Sequence, residues 1–356
     1  MTFKYRRGLG LTLLVLAACT SPAGVLPPPP PPTTCTFTNP IGTGADPWVV
    51  KSGSFYYLVE SRDNGIYVYK SETLTSPKQN ATQVWAAPDT GWNRTNVWAP
   101  ELHPIDGRWY IYYAAGRSGP PFISQRAGVL QSVGSDPQGQ YVDKGMLYTG
   151  DNIGADPENV WAIDLTVSRI NGQLYAVWSG WAKNAQTDRT PQNLYIAKMS
   201  NPWTISTNRA LLSTPDATWE KGTELDLQEG PEFLEHAGQE FIIYSTRESW
   251  LPEYKLGQLR LKTLTSDPMD RTNFIKTGPV FTGTTGVYGV GHASFTSSPD
   301  NTEDWIVYHS KVDPAPGWNR VIRTQKFTWN ADGSPNFGTP AASGQTVTVP
   351  SGECKS

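Results

Sequence analysis

The sequence predicts an all-β fold, a five-bladed β-propeller. The main observation is a repeat: five times, a polar residue is followed by a short apolar strand, a turn and a second strand rich in aromatic residues. The repeats begin at intervals of about 55 to 65 residues, and such a long, near-constant period is typical of repeat architectures. Their first residues are Asp46, Glu101, Asp164, Glu229 and His292. Propeller blades are four-stranded sheets around a channel, so five repeats predict five blades.

The composition agrees with this fold. Charged residues make up 17% and aromatic residues 12% of the 356 residues, and turn pairs such as Asp106-Gly107 and Asn171-Gly172 separate strands rich in Tyr, Trp and Ile. With a formal net charge of −3, the chain lacks the basic surface that a nucleic acid needs. Aromatic side chains beside few charges suit neutral sugars. The competing all-β prediction is a sandwich or jelly roll, which would not need five matching units.

The first 34 residues carry targeting signals. Residues 1–18 form a signal peptide, in which basic residues precede an apolar stretch too short to span a bilayer as a helix. The string Leu16-Ala17-Ala18-Cys19 is similar to a bacterial lipobox, whose cleavage leaves Cys19 lipidated; the alternative is an ordinary secretory signal. Residues 19–34 form a linker with six consecutive prolines, a stiff spacer. We expect an exported protein that is secreted or is lipid-anchored in the periplasm or at the cell surface, with no other membrane contact.

Two cysteines stand at the ends of the remaining chain, residues 35–356, which we interpret as the propeller domain. The sequence has three cysteines, and lipidation would account for Cys19. Cys35 and Cys354 are then left in an oxidising compartment. We predict a disulfide between them, because a propeller closes only if its two ends meet. The alternative is two free thiols.

The polar residues that open the repeats predict chemistry at a common centre. In a propeller the innermost strand of each blade lines the channel, so Asp46, Asp164 and Glu229 would converge there with Glu101 and His292. Glycoside hydrolysis needs two carboxyl groups on either side of the bond that breaks. In inverting enzymes these groups stand about 6.5–9.5 Å apart, which leaves room for a water molecule. Carboxylates from separate blades suit that spacing.

Short strings along most of residues 40–340 resemble glycoside hydrolase family 43. The strings are GADPWV at 44–49, WAPELH at 98–103, AID at 162–164, WSGW at 178–181, YIAKMSNPW at 195–203, EGPE at 229–232, YGVGH at 288–292 and DWIVYH at 304–309. Each is a weak signal alone, but their order and spacing together are specific. The resemblance implies a five-bladed propeller that inverts configuration. Members include arabinofuranosidases, endo-arabinanases and xylosidases, and the WSGW and YIAKMSNPW strings are most similar to the exo-acting α-L-arabinofuranosidases.

The resemblance also implies roles for the three carboxylates. Asp46 would be the general base that takes a proton from the attacking water, and Glu229 the general acid that protonates the leaving oxygen. Asp164 would orient the acid, and its negative charge would keep the pKa of Glu229 raised. Arg320 would be an arginine near the acid that binds substrate, although Arg323 lies close enough in the sequence to compete for that assignment.

Two acidic residues compete with these assignments. Residues 154–157 copy the string around Asp46, but Asp156 does not lead directly into a strand, so we expect it in a loop. Glu232 follows Glu229 by three residues. Alternation along a strand points the two side chains to opposite sides, and the repeat start favours Glu229.

Aromatic and histidine residues near the repeat starts are further candidates. Trp48, Trp98, Trp161 and Trp181 are predicted substrate-binding residues, of which we expect two or three to wall the sugar pocket. A histidine at the position of His292 would, by the resemblance, lie beside a central ion, commonly calcium held largely through water. The alternative for His292 is a hydrogen-bonded core residue, and the proposed chemistry requires no cofactor. We expect the side chain of Glu101 to form hydrogen bonds with a structural role.

The sequence therefore predicts an inverting glycosidase that acts as a monomer on arabinan or arabinose-containing oligosaccharides and releases terminal α-L-arabinofuranose. Two kinds of alternative stay open. The first is a β-xylosidase or an endo-arabinanase of the same family, because the loops at the channel mouth cannot be read from the sequence. The second is a non-catalytic, glycan-binding propeller.

Overall fold

A computed structural model of the chain describes residues 35–154 and 159–354. The predicted signal peptide, Cys19 and the linker lie outside the described residues, and so does Asp156. All the strands fall within the second of the chain's two compact units, Thr34–Ser356. In the described ranges, no helix is long and apolar enough to cross a membrane.

Nearly all the regular secondary structure of the described chain consists of short strands. In chain order they are β1 Thr36–Thr38, β2 Gly42–Thr43, β3 Trp48–Ser52, β4 Phe55–Arg62, β5 Gly65–Ser71, β6 Thr82–Ala86, β7 Thr95–Ile105, β8 Arg108–Gly116, β9 Arg126–Ser132, β10 Tyr141–Met146, β11 Ala162–Ile170, β12 Gln173–Gly180, β13 Asn193–Asn201, β14 Thr204–Ile205, β15 Ala210–Ser213, β16 Gln228–His236, β17 Gln239–Thr246, β18 Lys255–Leu261, β19 Phe274–Thr282, β20 Tyr288–Ser297, β21 Asp304–Lys311, β22 Arg320–Trp329, β23 Pro335–Asn336 and β24 Thr346–Thr348. Two short 3₁₀ helices span Thr218–Glu220 and Arg271–Asn273.

Five antiparallel sheets follow one another around a ring, which confirms the predicted five-bladed β-propeller. Blade 1 contains β3–β6, blade 2 contains β7–β10, blade 3 contains β11–β15 and blade 4 contains β16–β19. Blade 5 contains β20–β22, with β23 beside β22 and the N-terminal strand β2 as its outermost strand. The ring therefore closes by pairing the start of the domain with its last blade. Next to this closure, β1 pairs with β24, and a disulfide joins Cys35 to Cys354.

Apolar side chains fill the spaces between neighbouring blades. Each of the five interfaces has its own buried cluster, such as the one between blades 2 and 3 that includes Tyr112 and Trp178. A tyrosine of each second strand lies in one of these clusters: Tyr56, Tyr112, Tyr175, Tyr244 and Tyr308. Fully burying a large apolar side chain contributes about 1.5–3 kcal/mol. The aromatic residues that recur in the sequence therefore correspond to packing contacts between neighbouring blades.

The innermost strands of the blades share a backbone feature where they enter the channel. Asp46, Ala99, Asp164, Gly230 and His292 all have φ between 39° and 52°. This left-handed conformation is uncommon for residues other than glycine. In blades 2 to 5 the strand pairing then shifts register, as in a β-bulge.

These equivalent backbone positions correct the repeat starts read from the sequence in two blades. Blade 2 places Ala99, not Glu101, at the level of Asp46, and blade 4 places Gly230 there, one residue after Glu229. Alternation along a strand does not reveal which residue takes the left-handed conformation that precedes the register shift.

Candidate active site

The three carboxylates predicted from the repeats meet at one end of the channel. We call Asp46, Asp164 and Glu229 the first channel layer. The backbone N–H of Gly230 donates to Oδ2 of Asp164 (3.0 Å), which fixes blades 3 and 4 together beside Glu229. The charge of Asp46 raises the pKa of both other carboxyl groups. Asp164 and Glu229 are buried, whereas 24% of the Asp46 side chain is exposed.

Positive and polar groups surround the carboxylate of Asp46. Nη1 of Arg320 donates to Oδ1 (3.1 Å), and Nδ1 of His292 and Nδ1 of His309 each lie 3.2 Å from the same oxygen. The backbone N–H of Asp46 also donates to Nδ1 of His309 (3.1 Å). Burial alone would raise the pKa of Asp46, but Arg320 and then the two histidines outweigh it and hold that pKa well below its usual range. Asp46 is therefore ionised at any ordinary pH, as a general base must be.

Glu229 has the opposite electrostatic environment. Burial raises its pKa to about 7, and the charge of Asp46 acts in the same direction, while a hydrogen bond from Tyr254 acts against it. That hydrogen bond runs from the Tyr254 hydroxyl to Oε1 of Glu229 (2.9 Å). A carboxyl group with a pKa near 7 holds its proton for a large part of the time at neutral pH, which is the requirement for a general acid.

Asp164 is linked to the strand of Glu229 through the backbone. Burial raises the pKa of Asp164 well above its usual range, and the charges of Glu229 and Asp46 raise it further. Because this repulsion between like charges is mutual, the expectation that Asp164 helps to keep the pKa of Glu229 raised stays a prediction, beside the burial and the charge of Asp46 that raise that pKa. The contact that the structure gives Asp164 is the hydrogen bond from Gly230, the residue after Glu229. The structure thus links Asp164 to the strand that carries Glu229, and a role for Asp164 in orienting the acid stays a prediction.

Two residues that the sequence analysis did not select connect the acid to the base. The rings of Tyr254 and His309 are fully buried and stack nearly parallel, with centroids 5.4 Å apart. Tyr254 contacts Glu229 and His309 contacts Asp46, so the stacked pair spans the distance between the two carboxylates. The sequence did contain a signal for His309, because this residue ends the family-like string at 304–309. The sequence contained no such signal for Tyr254, because this residue lies in the loop before β18.

The two arginines on β22 have different surroundings. Nη1 of Arg320 donates to Asp46, and its charge also lowers the pKa of Glu229; its role in binding substrate stays a prediction. Nε of Arg323 donates to Oγ of Ser310 (2.7 Å), and its Nη1 donates to the carbonyl of Ala341 (3.1 Å). Arg323 thus holds the chain together, and Arg320 is the arginine of the site.

The four tryptophans predicted to bind substrate lie mostly in the core. Trp161 and Trp181 are almost fully buried and stack on each other at 4.5 Å, and Trp48 is buried against His103. Their ring faces contact protein, so this burial does not support the prediction that they wall a sugar pocket. Trp98 is half-buried and packs its edge on Phe122 at 4.9 Å; for Trp98 a substrate contact stays a prediction.

A second channel layer lies two residues further along the innermost strands. It contains Glu101, Thr166 and Glu232, which stand two residues after Ala99, Asp164 and Gly230, together with His103. Oε2 of Glu101 lies 2.9 Å from Nε2 of His103, and Thr166 contacts Oε2 of Glu232 at 3.5 Å. This hydrogen-bonded arrangement fits the structural role expected for Glu101.

The calcium expectation near His292 remains a prediction. Calcium takes six to eight oxygen ligands. Among the residues that the structure describes, no group of three or more His, Cys, Asp or Glu side chains is arranged to hold a metal ion. His292 instead packs against Gly230 and places Nδ1 on Asp46. Side chains here do not fit a calcium cage, and we derive no chemical step through a metal.

Comparison with known proteins gives consistent matches. The profile of the family "Glycosyl hydrolases family 43" matches residues 37–335. The chain is 36% identical to "Extracellular exo-alpha-(1->5)-L-arabinofuranosidase" of Streptomyces avermitilis and 33% identical to "Alpha-L-arabinofuranosidase 43" of Humicola insolens, over 87% and 85% of this chain. It spans 65% and 63% of the lengths of these two relatives.

A solved structure is also similar. It is the crystal structure of an α-L-arabinofuranosidase from Lactobacillus brevis, with a TM-score of 0.78 and 31% identity. The match covers 87% of this chain and 98% of that one. The likeness therefore extends over the whole propeller.

Proposed function

This chain belongs to glycosyl hydrolases family 43, and on that premise we propose that it is an inverting, exo-acting α-L-arabinofuranosidase. Its substrates would be arabinan and arabino-oligosaccharides, from which it removes terminal α-L-arabinofuranose. The observation that carries the proposal is the contrast between two carboxylates of one channel. Asp46 is held ionised by Arg320, while burial raises the pKa of Glu229 to about 7.

The proposed mechanism is a single displacement by water. Asp46 accepts a proton from the water as its oxygen bonds to the anomeric carbon. In the same step the glycosidic bond breaks, and Glu229 gives its proton to the departing oxygen. Asp46 ends protonated and Glu229 ionised, and exchange with solvent restores both. Attack from the face opposite the leaving group converts an α-linked substrate into β-L-arabinofuranose.

The names of the relatives support the choice of sugar. Both curated relatives and the Lactobacillus brevis protein are named as α-L-arabinofuranosidases, and one name specifies (1->5) linkages. The chain spans less than two thirds of the curated relatives, so their activity is a proposal for this one.

The proposal extends to the location of the enzyme. The Streptomyces avermitilis relative is named extracellular, in agreement with an exported protein. We propose that the mature protein is a monomer that begins at a lipidated Cys19. The mass of the mature N-terminal peptide would show the lipid, or its absence for an ordinary secretory signal.

Sugar release tests the activity. The protein is incubated with 4-nitrophenyl α-L-arabinofuranoside, 4-nitrophenyl β-D-xyloside and linear 1,5-arabinan, and the products are identified by chromatography and by NMR within the first minutes. We expect arabinose alone, released from the first and third substrates, with the β anomer forming first. Xylose or short arabinan oligomers would indicate the alternatives within the family, and no release would leave a glycan-binding propeller.

A further inference from the structure

An exposed tryptophan lies beside the first channel layer. Trp318 is 62% exposed, the largest fraction among the exposed large apolar side chains of the described ranges. It belongs to the loop between β21 and β22 of blade 5. Single exposed apolar residues are common on protein surfaces and need no explanation. The surroundings of Trp318 therefore have to decide whether this one has a function.

The loop that carries Trp318 is fastened to blade 4. The backbone N–H of Gly317 donates to the carbonyl of Trp250 (2.9 Å), and Nζ of Lys311 donates to the carbonyl of Gly317 (2.6 Å). The rings of Trp250 and Trp318 are 5.2 Å apart. Two tryptophans from different blades thus form one aromatic surface, which we call the Trp250–Trp318 platform. Hydrogen bonds hold the backbone beneath it in place.

A single guanidinium group separates this platform from the base. The Cζ atom of Arg320 lies 5.4 Å from the centre of the Trp318 ring, in the range of a cation–π contact. Nη1 of the same group donates to Asp46. The loop that carries Trp250 also carries Tyr254, which contacts Glu229. The platform is therefore one guanidinium group away from Asp46, and one of its two loops also holds Glu229 through Tyr254.

We propose that the Trp250–Trp318 platform binds the leaving-group part of the substrate, the sugar residues that follow the terminal arabinofuranose. This inference rests on the proposed function. The scissile bond must lie between carboxylates that are largely buried, so the rest of the chain has to extend outward past the rim. An exposed ring at the rim offers an apolar face to the C–H groups of a sugar ring. Trp318 would thus favour oligosaccharides over glycosides whose leaving group has no ring.

Two substrates separate this role from the chemistry. In α-1,5-linked arabinotriose the leaving group consists of sugar residues, whereas in methyl α-L-arabinofuranoside it is methanol. For Trp318→Ala we expect the ratio of kcat/KM for arabinotriose to kcat/KM for the methyl glycoside to fall about tenfold, mostly through a higher KM for arabinotriose. Trp318→Phe keeps a ring and should recover most of the ratio.

A matched control lies in the same loop. Val312 is 51% exposed, and Val312→Ala should leave the ratio at its wild-type value. If Trp318→Ala has wild-type thermal stability and an unchanged ratio of the two kcat/KM values, the proposal that the platform binds substrate is wrong. An equal decrease of kcat/KM for both substrates would also contradict the proposal, because it would mean that Trp318 acts only by packing on Arg320.

The same assays distinguish an error in the proposed function from an error in the role of the platform. A wild-type protein that releases no arabinose from either substrate overturns the arabinofuranosidase and, with it, the platform. A wild-type protein that cleaves both, beside a Trp318→Ala variant with an unchanged ratio, overturns the platform alone.

Discussion

The two layers of the channel contain similar side chains and differ in the charges around them. The first layer has the buried Asp164 and Glu229 beside His292, and the second has the buried Glu101 and the partly buried Glu232 beside His103. In the first layer, Arg320 and two histidines meet one oxygen of Asp46, and the pKa of that carboxyl falls while the pKa of Glu229 rises to about 7. The carboxyl groups are thereby divided into a base and an acid.

In the second layer the carboxyl groups are not divided into a base and an acid. Burial raises the pKa of Glu101 and of Glu232 well above the usual range, and the charge of Glu232 raises that of Glu101 further. Burial lowers the pKa of His103 to about 3, and it also lowers the pKa values of His292 and His309 beside the first layer, so the electrostatic difference between the layers rests on Arg320. Two carboxyl groups shifted in the same direction cannot act as an acid–base pair at neutral pH.

This comparison shows that convergence of carboxylates around a propeller axis does not by itself make an active site. What distinguishes the first layer is a cation placed on one carboxylate only, together with partial access to solvent at Asp46. Substitutions in the two layers should therefore have very different effects on activity, and the predictions below run from the largest to the smallest.

The largest effect is expected for Asp46→Asn. The amide keeps the shape of the side chain and removes the negative charge that accepts the proton of water. General-base assistance contributes about 10²–10⁴ to the rate. We expect kcat/KM to fall by about 10³ or more on aryl arabinofuranosides and on arabinan alike, because both reactions need an activated water. Retention of a tenth of the wild-type activity on either substrate would contradict the role.

A large but substrate-dependent effect is expected for Glu229→Gln. A leaving group that needs no proton bypasses the general acid, so 4-nitrophenyl arabinofuranoside should lose much less activity than arabinan, for which we expect a loss of about 10² or more. The pH profile gives a second measurement. Wild-type kcat/KM on arabinan should fall as the pH rises through about 7, because Glu229 loses its proton, and the variant should lack this decline. Equal losses on both substrates would rule out this assignment of the acid.

The sequence repeat was sufficient for Asp46 and Asp164, whereas Glu229 stands one residue before the equivalent position, Gly230. Asp46 and Asp164 occupy equivalent strand starts, so the repeat identifies them directly. Glu101 also opens a repeat in the sequence, yet it belongs to the second layer, because the position equivalent to Asp46 in blade 2 is Ala99, two residues earlier, and periodicity does not show this. Tyr254 could not be found, because its position depends on how a loop folds back on blade 4.

Burial of aromatic residues was equally difficult to predict. Trp161 and Trp318 are the same residue type, and both are close in sequence to a charged residue of the site. One is enclosed by Trp181 and its neighbours, and the other is exposed at the rim. The difference depends on which loops cover each ring, and loops carry little periodic signal.

A moderate effect is expected for Tyr254→Phe. The substitution keeps the ring that stacks on His309 and removes the hydrogen bond to Glu229, which lowers the pKa of the acid. Without it that pKa should rise, so the alkaline decline of kcat/KM on arabinan should move to higher pH. Activity at pH 6 should fall by only about two- to tenfold, from looser positioning of the acid. A decline that stays in place or moves to lower pH would show that Tyr254 does not act through Glu229.

The smallest effect on activity is expected in the second layer, for Glu101→Gln. Its raised pKa means that Glu101 carries a proton in the folded protein at a pH where the unfolded chain has lost it. Folded stability therefore decreases as the pH rises above the ordinary pKa of glutamate, by up to about 1.4 kcal/mol per pH unit for one group. A glutamine does not titrate and has the shape of the protonated acid, so the thermal midpoint of the variant should exceed that of the wild type by more at pH 8 than at pH 5. Arabinofuranoside cleavage should stay within about threefold of the wild type. A hundredfold loss of activity in a folded Glu101→Gln variant would place catalysis in both layers and remove the distinction between them.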